Sequence, residues 1–167
     1  TRGEPLQLTV DTDIQFLIKK KLMKFQKIFR ANGSAAILMD VNNGEIIAMV
    51  SLPDFNLNKR EKITDINYIN KVTKGVYEFG SVFKTFTIAA GFNENLIEPN
   101  TEYLNLEKQL MCDKFIIKEY SDKTPTNLTV EDILIRSGNV GSVKIGQKIG
   151  QEKFKSFLDK IGILKKI

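Results

Sequence analysis

The chain has 167 residues, which is about one domain and long enough to bury a proper core. Its composition, 42% hydrophobic and 27% charged, is typical of a globular protein, and no stretch reaches the roughly 18 apolar residues of a membrane span. The chain contains 0 histidines, which excludes a Ser-His-Asp triad, a Cys-His dyad and a histidine-bound metal. Any nucleophilic chemistry must therefore use lysine, a carboxylate or tyrosine as its base.

The net charge of +5 indicates a lysine-rich, solvated surface, and the alternative is attraction to an anionic membrane face or polymer. Lys19, Lys20 and Lys21 are consecutive on a predicted helix, so they point in three directions and form no single patch. No nucleic-acid-binding motif occurs, and we expect no nucleic-acid partner.

Residues 1–10 are predicted to be extended, and Thr12 and Gln15 have the spacing of a capping box. A helical stripe of apolar residues follows and ends at Asn32-Gly33. Residues 34–41 and 45–51 are compatible with strands, and the Asn-Gly pair between them predicts an antiparallel hairpin. Pro53 should end the second strand, and residues 51–68 are predicted to be a loop with a few helical turns.

The second half of the chain is predicted to be mostly helical. Gly80 precedes an apolar helix whose hydrophobic residues cover nearly its whole circumference, so it should be buried on most sides. Residues 99–127 are predicted to be irregular, with a short strand at 114–118. Three further helices are expected: one from a capping box at residues 129–132 through 136, one over 140–149 with Gly150 as C-cap, and one over 154–161 stopped by Gly162.

The absence of repeats and of a low-complexity linker predicts one structural unit over residues 1–167. Two strands alone do not make a stable sheet, so the hairpin should need further strands or a partner. The set of predicted elements, an α+β pattern, therefore looks incomplete.

Ser81 and Lys84 are the first candidate catalytic pair. They lie three residues apart at the predicted start of the buried helix, a spacing that places side chains next to each other. The positive end of the helix and the flanking Phe83 and Phe86 should lower the pKa of Lys84 toward the neutral amine that a base requires. Alone, the Ser-x-x-Lys pattern is weak, and an N-terminal serine with an exposed lysine is the commoner explanation.

Ser137 and Asn139 form the second candidate element, in a predicted helix interruption. The serine could relay a proton, and the asparagine amide could hold a substrate amide through both its donor and its acceptor. An ordinary helix break at Ser-Gly-Asn is the commoner explanation when this pattern stands alone.

Ser-x-x-Lys followed by Ser-x-Asn is the motif set of β-lactamases and penicillin-binding proteins. Residues across the whole chain resemble class B penicillin-binding proteins in particular. The stretches that carry the resemblance are residues 77–87 (YEFGSVFKTFT) around the nucleophile, 40–51 (DVNNGEIIAMVS), 8–11 (LTVD) with Gln15, and 128–132 (LTVED) leading to 137–141 (SGNVG). The Asn-Val-Gly ending resembles the septal, cell-division enzymes more than the elongation-specific ones.

Three departures from the family pattern stand out. Phe79 replaces the usual proline, and Gly138 replaces a common serine. The third motif, Lys-[Ser/Thr]-Gly on a strand, does not occur in these residues. In the family, later strands complete the sheet, carry this motif and supply half of the oxyanion hole, so this chain alone is expected to be inactive or nearly so.

The resemblance implies a serine β-lactamase/transpeptidase-like fold and a peptidoglycan D,D-transpeptidase that acts on stem peptides ending in D-Ala-D-Ala. Ser81 would be the acylated nucleophile, Lys84 its base, Ser137 a proton relay, and Asn139 and Gly80 would contact substrate. No metal or organic cofactor is implied. β-Lactam antibiotics would acylate Ser81, and a cell-wall polymerase and cell-division proteins would be partners.

The resemblance also implies a location on the periplasmic face of the bacterial inner membrane, with the anchor outside this chain. Two alternatives remain open from the sequence. One is a serine β-lactamase or D-alanyl-D-alanine carboxypeptidase, although no carboxylate motif for a hydrolytic water is evident near the second element. The other is a non-catalytic penicillin sensor or divisome interaction module.

Overall fold

The computed structural model describes residues 3–56, 58–59 and 68–165. The chain divides into two compact units, Thr1–Tyr77 and Glu78–Ile167. The first unit contains a long helix and a β-hairpin, and the second contains most of the helices together with two small strand pairs. Sequence alone predicted one structural unit, and the assignment of the whole chain to a single domain stays a prediction.

Helix α1 (Thr12–Phe29) opens the first unit and confirms the predicted apolar stripe. Its N-cap is Asp11, whose carboxylate accepts hydrogen bonds from the amides of Asp13 and Ile14. The prediction that Thr12 and Gln15 form a capping box is therefore wrong, because a carboxylate one residue earlier satisfies the free amides. The helix ends at Arg30, which adopts the left-handed conformation, two residues before the predicted Asn-Gly stop.

The predicted hairpin is confirmed. Strand β1 (Ser34–Met39) pairs antiparallel with β2 (Ile46–Leu52), and Ala36 lies opposite Val50. The connecting loop is closed by a hydrogen bond from the Gly44 amide to the Asp40 carbonyl (2.8 Å). Strand β2 ends just before Pro53, as predicted. Its residues Ala48, Val50 and Leu52 point to the same face of the hairpin, and all three are buried.

Gln15 joins α1 to the outer edge of β2. Its side-chain nitrogen donates to the carbonyl of Met49 (2.7 Å), and its oxygen accepts from the Met49 amide (2.8 Å). Asp11 adds a backbone hydrogen bond to the Ile47 carbonyl (2.9 Å). The N-terminal segment thus satisfies backbone groups that a neighbouring strand would otherwise pair with. Part of the predicted loop over residues 51–68 lies outside the described residues. A short helix, α2 (Lys71–Lys74), follows it and is capped by Asn70.

The second unit begins with a single 3₁₀ turn (Gly80–Phe83), followed by α3 (Lys84–Asn93). The sequence predicted one continuous helix from Ser81, but the α-helix begins at Lys84. Ile88, Ala90 and Gly91 are buried, whereas Val82 and Phe92 are 65% and 40% exposed. The prediction of burial on most sides is thus only partly right, because within this unit α3 packs on one side against α4, α5 and α6.

Residues 99–127 are more regular than predicted. The strand expected at 114–118 is confirmed as β5 (Phe115–Lys118), and it forms a hairpin with β4 (Gln109–Cys112). Strand β3 (Glu102–Tyr103) pairs with β6 (Leu128–Thr129), two strands that the sequence pattern did not reveal. Each of these pairings joins segments too short for an alternation of polar and apolar residues to be recognised.

The last three helices agree with the sequence. Thr129 caps α4 (Val130–Ile135), since its hydroxyl accepts from the Asp132 amide (3.1 Å) and donates to the Asp132 carboxylate (3.1 Å). These contacts confirm the N-cap half of the predicted capping box. Helices α5 (Asn139–Ile149) and α6 (Gln151–Lys160) meet at Gly150, which has a φ of 82°. At Gly141 a β-carbon would come within 2.7 Å of the Ile133 side chain, so glycine permits the close packing of α4 on α5.

The core of the second unit is formed by side chains from α3, α4, α5 and the segments between them: Ile88, Ala90, Ile97, Leu106, Leu128, Val130, Ile133, Val140, Ile145 and Ile149. This core fixes α3 against the start of α5, where the candidate catalytic residues lie. None of the helices in the part of the chain that the structure describes is long and apolar enough to span a bilayer.

Replacing Gln15 with alanine should lower the free energy of unfolding by about 1–3 kcal/mol, because the amide and carbonyl of Met49 lose their partners in a partly buried position. Urea denaturation followed by circular dichroism measures this. Lys20→Ala, at an exposed position of the same helix, is the control and should have little effect. Equal midpoints for the two variants would contradict the assigned role of Gln15.

Candidate active site

Ser81 lies in the 3₁₀ turn and is exposed. The turn starts at Gly80, whose φ of 55° lies in the left-handed region that glycine adopts without steric cost. Within residues 3–56, 58–59 and 68–165 the Ser81 amide has no backbone partner, as is usual for the first residues of a helical turn. Phe79, at the position where the family has proline, precedes the turn, and its carbonyl accepts from the Val82 amide (3.2 Å).

Ser137 occupies the residue just after the C-cap of α4. The Gly138 amide donates to the Ile133 carbonyl (2.8 Å) and the Ser137 amide to the Leu134 carbonyl (3.1 Å). These two hydrogen bonds define a Schellman motif, in which the position of Ser137 is usually glycine because its φ is positive. Ser137 has a φ of 54°, so a β-branched or bulky residue would be disfavoured here and even serine is strained.

Asn139 is the first residue of α5, and both ends of its side-chain amide are engaged. Its nitrogen donates to the Lys118 carbonyl at the end of β5 (2.7 Å), and its oxygen accepts from the Lys84 amine (2.5 Å). The sequence-based interpretation left this amide available for a substrate. In the structure the amide instead joins β5 to α3, so a substrate would have to share or displace one of these partners.

Lys84 is the centre of the site. Its amine contacts the Ser137 carbonyl (2.5 Å), the Ser137 hydroxyl (3.1 Å) and the Asn139 side-chain oxygen (2.5 Å). Among the described residues, its side chain forms no hydrogen bond with Ser81. The structure therefore brings Lys84 together with Ser137 and Asn139, which follow it by 53 and 55 residues in the chain. Ser81 lies in the 3₁₀ turn that directly precedes Lys84.

The three contacts of Lys84 are compatible with a neutral amine. The carbonyl of Ser137 and the side-chain oxygen of Asn139 can only accept, so they use two N–H groups. The Ser137 hydroxyl can either accept or donate. A neutral amine has two N–H groups and one lone pair, and the hydroxyl can donate to that lone pair. The same contacts also satisfy an ammonium, so the hydroxyl can adapt to either protonation state.

Burial lowers the pKa of Lys84, and the negative charge of Glu119 partly opposes this effect. The direction agrees with the sequence-based expectation. Because the unfolded chain holds this proton more tightly, raising the pH from the lowered pKa to the ordinary value of about 10.4 favours the folded state.

A cavity of about 860 Å³ adjoins the lysine within the second unit. Its lining includes Gly80, Lys84 and Asn139, together with the aromatic residues Phe83 and Phe154. The rings of these two phenylalanines are 6.3 Å apart and nearly perpendicular. Phe83 and Lys84 thus line the same cavity, and the desolvation of Lys84 by Phe83 stays a prediction.

Residues 34–167 match the family model described as "Penicillin binding protein transpeptidase domain", which covers most of the chain. The chain belongs to this family. The predicted α+β, transpeptidase-like fold class is thereby confirmed.

Named relatives agree with this assignment. The chain is 28% identical over 163 residues to the probable peptidoglycan D,D-transpeptidase FtsI of Caulobacter vibrioides, covering 98% of this chain and 27% of that protein. It is 27% identical over 172 residues to the stage V sporulation protein D of Bacillus subtilis, covering 96% and 25%. The chain thus spans about a quarter of the length of these curated relatives.

Among solved structures, the chain is similar to the apo transpeptidase domain of penicillin-binding protein 3 from Burkholderia pseudomallei. The TM-score is 0.78 at 26% sequence identity, and the match covers 97% of this chain and 44% of that one. The similarity in fold thus extends over nearly the whole chain.

Sequence reasoning missed two groups at this site. Glu119 accepts hydrogen bonds from the Asn139 amide (3.0 Å) and the Val140 amide (2.8 Å), and the Lys118 carbonyl holds the Asn139 side chain. Glu119 lies 20 residues before Asn139 in a segment predicted to be irregular. No local pattern in the sequence indicates this contact, because a carboxylate that caps a distant helix has no fixed spacing.

Comparing Ser137→Gly with Ser137→Ala isolates the backbone strain at position 137. Both changes remove the hydroxyl, but only glycine adopts the positive φ without cost. The glycine variant should be more stable than the alanine variant by about 1–2 kcal/mol in urea denaturation. Ser156→Gly and Ser156→Ala, within α6, are the controls and should show the reverse order, because glycine weakens a helix interior.

Proposed function

We propose that this chain is part of a peptidoglycan D,D-transpeptidase in which Ser81 forms an acyl-enzyme with a stem peptide ending in D-Ala-D-Ala. One observation carries the proposal: the Lys84 amine is bonded to both Ser137 and Asn139, so two motifs far apart in sequence converge on one partly buried base. The family match and relatives named as peptidoglycan transpeptidases supply the reaction class.

In the proposed acylation, the Ser81 hydroxyl oxygen attacks the carbonyl carbon of the penultimate D-alanine, and its proton passes to the neutral Lys84 amine. The Lys84 side chain must approach Ser81 for this step, and such catalytic hydrogen bonds often form only in the substrate complex. A tetrahedral oxyanion results, and the backbone amide of Ser81 would be one of its donors, a contribution typically of about 10²–10³ in rate.

Collapse of the tetrahedral intermediate breaks the peptide bond and releases D-alanine. Its amine takes up the proton that Lys84 accepted, through the Ser137 hydroxyl, which is 3.1 Å from the Lys84 amine. An amine from a neighbouring stem peptide then attacks the ester carbonyl, and its proton passes through the Ser137–Lys84 pair to the Ser81 oxygen as the ester bond breaks and frees Ser81. Asn139 and Gly80 would contact the donor peptide. β-Lactams would acylate Ser81 as substrate mimics.

We also propose that residues 1–167 form one part of a larger transpeptidase domain. The outer edge of β2 is occupied by Gln15 and Asp11, whereas β1 pairs only with β2 in the described part of the chain. Ile37 and Met39 of β1 are 50% and 49% exposed. An open strand edge with exposed apolar side chains favours pairing with further strands, and one of these would carry the Lys-[Ser/Thr]-Gly motif.

The cellular setting follows from the proposed reaction. Its substrate lies outside the cytoplasm, so the protein would work on the periplasmic face of the inner membrane through an anchor outside these residues. A cell-wall polymerase and cell-division proteins would be its partners, and a septal role is favoured by the Asn-Val-Gly sequence at residues 139–141.

Labelling with a fluorescent penicillin tests the proposal in a protein that contains residues 1–167 together with the Lys-[Ser/Thr]-Gly region. We expect a stable adduct at Ser81 by mass spectrometry, complete loss of labelling in Ser81→Ala, and normal labelling in Ser156→Ala, which alters an exposed serine of α6. The 167-residue chain alone should remain unlabelled, because half of the proposed oxyanion hole lies outside it.

Two results would contradict this proposal. Labelling that survives Ser81→Ala would exclude Ser81 as the nucleophile. Rapid turnover of a chromogenic cephalosporin, in place of a stable adduct, would identify a β-lactamase and refute the transpeptidase assignment.

A further inference from the structure

Glu119 follows directly after β5 and reaches the first turn of α5. One carboxylate oxygen accepts from the Asn139 amide (3.0 Å), and the other accepts from the Val140 amide (2.8 Å). These amides are at the start of the helix, where no intrahelical carbonyl is available to them. A carboxylate at this end is also favoured by the helix dipole. A side chain from another element therefore supplies the cap of α5.

The backbone that carries Glu119 is itself held in place. The Glu119 amide donates to the Lys108 carbonyl (3.0 Å), and the Lys108 amine donates to the carbonyls of Asp122 (2.8 Å) and Thr124. Lys108 thus fixes both ends of residues 119–124. The residue before Glu119 is Lys118, whose backbone carbonyl accepts from the Asn139 side chain (2.7 Å). Three hydrogen bonds in total join residues 118–119 to the first two residues of α5.

The position of Asn139 and Val140 at the start of α5 also affects the hydrogen bonds of Lys84. The Asn139 side chain bonds the Lys84 amine directly, and Ser137 is two residues earlier in the same turn. If the start of α5 shifted, the Asn139 oxygen and the Ser137 hydroxyl would move away from the amine. In the part of the chain that the structure describes, the Glu119 carboxylate bonds the start of α5 and forms no hydrogen bond with Lys84, so its effect on geometry passes through Asn139.

We infer that Glu119 is a positioning residue that holds Asn139 and Ser137 in register with the Lys84 amine. It does so by clamping the first turn of α5 to the end of β5. This inference rests on the proposed function for its catalytic consequence, whereas its structural part concerns contacts within this chain and can be measured without catalysis.

The effect of the Glu119 charge on Lys84 can be distinguished from the effects of the neighbouring charged groups. Asp132 and Arg136 of α4 face each other (3.7 Å), and the side chains that α5 and α6 contribute to the cavity beside Lys84 carry no charge. The β4–β5 hairpin contributes Cys112 and Lys118 to the lining of that cavity. Glu119 is the group whose negative charge raises the pKa of Lys84 against the effect of burial.

Nuclear magnetic resonance of the 167-residue chain tests the inference with Glu119→Gln, Glu119→Asp and the control Glu107→Gln, an exposed carboxylate preceding β4. Two quantities are measured: amide hydrogen exchange at Asn139 and Val140, and the titration midpoint of the labelled Lys84 amine. Glu119→Gln keeps the shape but has one acceptor oxygen for two amides. It should accelerate exchange at one or both amides about tenfold or more.

The direction of the Lys84 midpoint separates positioning from a general loss of structure. In Glu119→Gln the site stays desolvated while the negative charge is gone, so the midpoint should fall below that of the wild type. If the change merely loosened the fold, Lys84 would be rehydrated and its midpoint would rise. Glu119→Asp, which keeps the charge, should lie closer to the wild type than Glu119→Gln, and Glu107→Gln should equal the wild type.

A rise of the Lys84 midpoint in Glu119→Gln, or unchanged exchange at both amides, would overturn the inference. If the Glu119 variants do not fold, the wild type still decides: protonation of Glu119 at low pH should shift the Asn139 and Val140 amide signals together with the Glu119 carboxyl signal. Independent titration of these signals would also overturn it.

The catalytic consequence is measured separately. In a protein that binds fluorescent penicillin, Glu119→Gln should slow acylation about 10- to 100-fold, and Glu107→Gln should leave the rate unchanged. Equal rates would overturn the catalytic part of the inference. Failure of the wild type to be labelled would instead contradict the proposed function, and the measurements on the 167-residue chain would keep their meaning.

Discussion

The site depends on the bonding of one amine. Lys84 begins α3, and its side chain reaches a tight turn between α4 and α5, where it meets the Ser137 carbonyl, the Ser137 hydroxyl and the Asn139 amide oxygen. Burial disfavours the charged amine and lowers its pKa, while the negative charge of Glu119 partly opposes this effect. A lowered pKa increases the fraction of the neutral amine, which is the form that a general base in acyl transfer requires.

Several local features support this one contact. The glycine at position 80 allows the 3₁₀ turn that presents Ser81. The Schellman motif at the end of α4 holds Ser137 at a positive φ, where glycine would be easier to accommodate. Ser137 thus combines a strained backbone with direct contact to the Lys84 amine, and such strain tends to occur at functional sites. The buried side chains of Ile133 and Val140 keep both helices in place around the turn.

Much of this arrangement could be predicted from the sequence. Apolar periodicity located α1, α5 and α6, the Asn-Gly pair located the hairpin, and Thr129 identified the start of α4, because each signal is local and has fixed spacing. The motifs at Ser81–Lys84 and Ser137–Asn139 identified the family. The cap of α1 was misassigned by one residue, since Asp11 and Thr12 are both acceptable caps and only tertiary contacts engage Gln15 elsewhere. Glu119, β3 and β6 were missed because their partners are distant in sequence. The occupied amide of Asn139 was missed for the same reason.

The titration midpoint of the Lys84 amine tests the central claim most directly. It can be followed by nuclear magnetic resonance in the 167-residue chain labelled at the lysine side-chain carbons, with the Lys84 signal assigned by its absence from Lys84→Arg. The account predicts a midpoint clearly below the ordinary lysine value of about 10.4, together with a chemical shift change in the Ser137 and Asn139 signals at the same pH. A midpoint at the ordinary value, with no response from Ser137 or Asn139, would contradict a partly buried base bonded to these two residues.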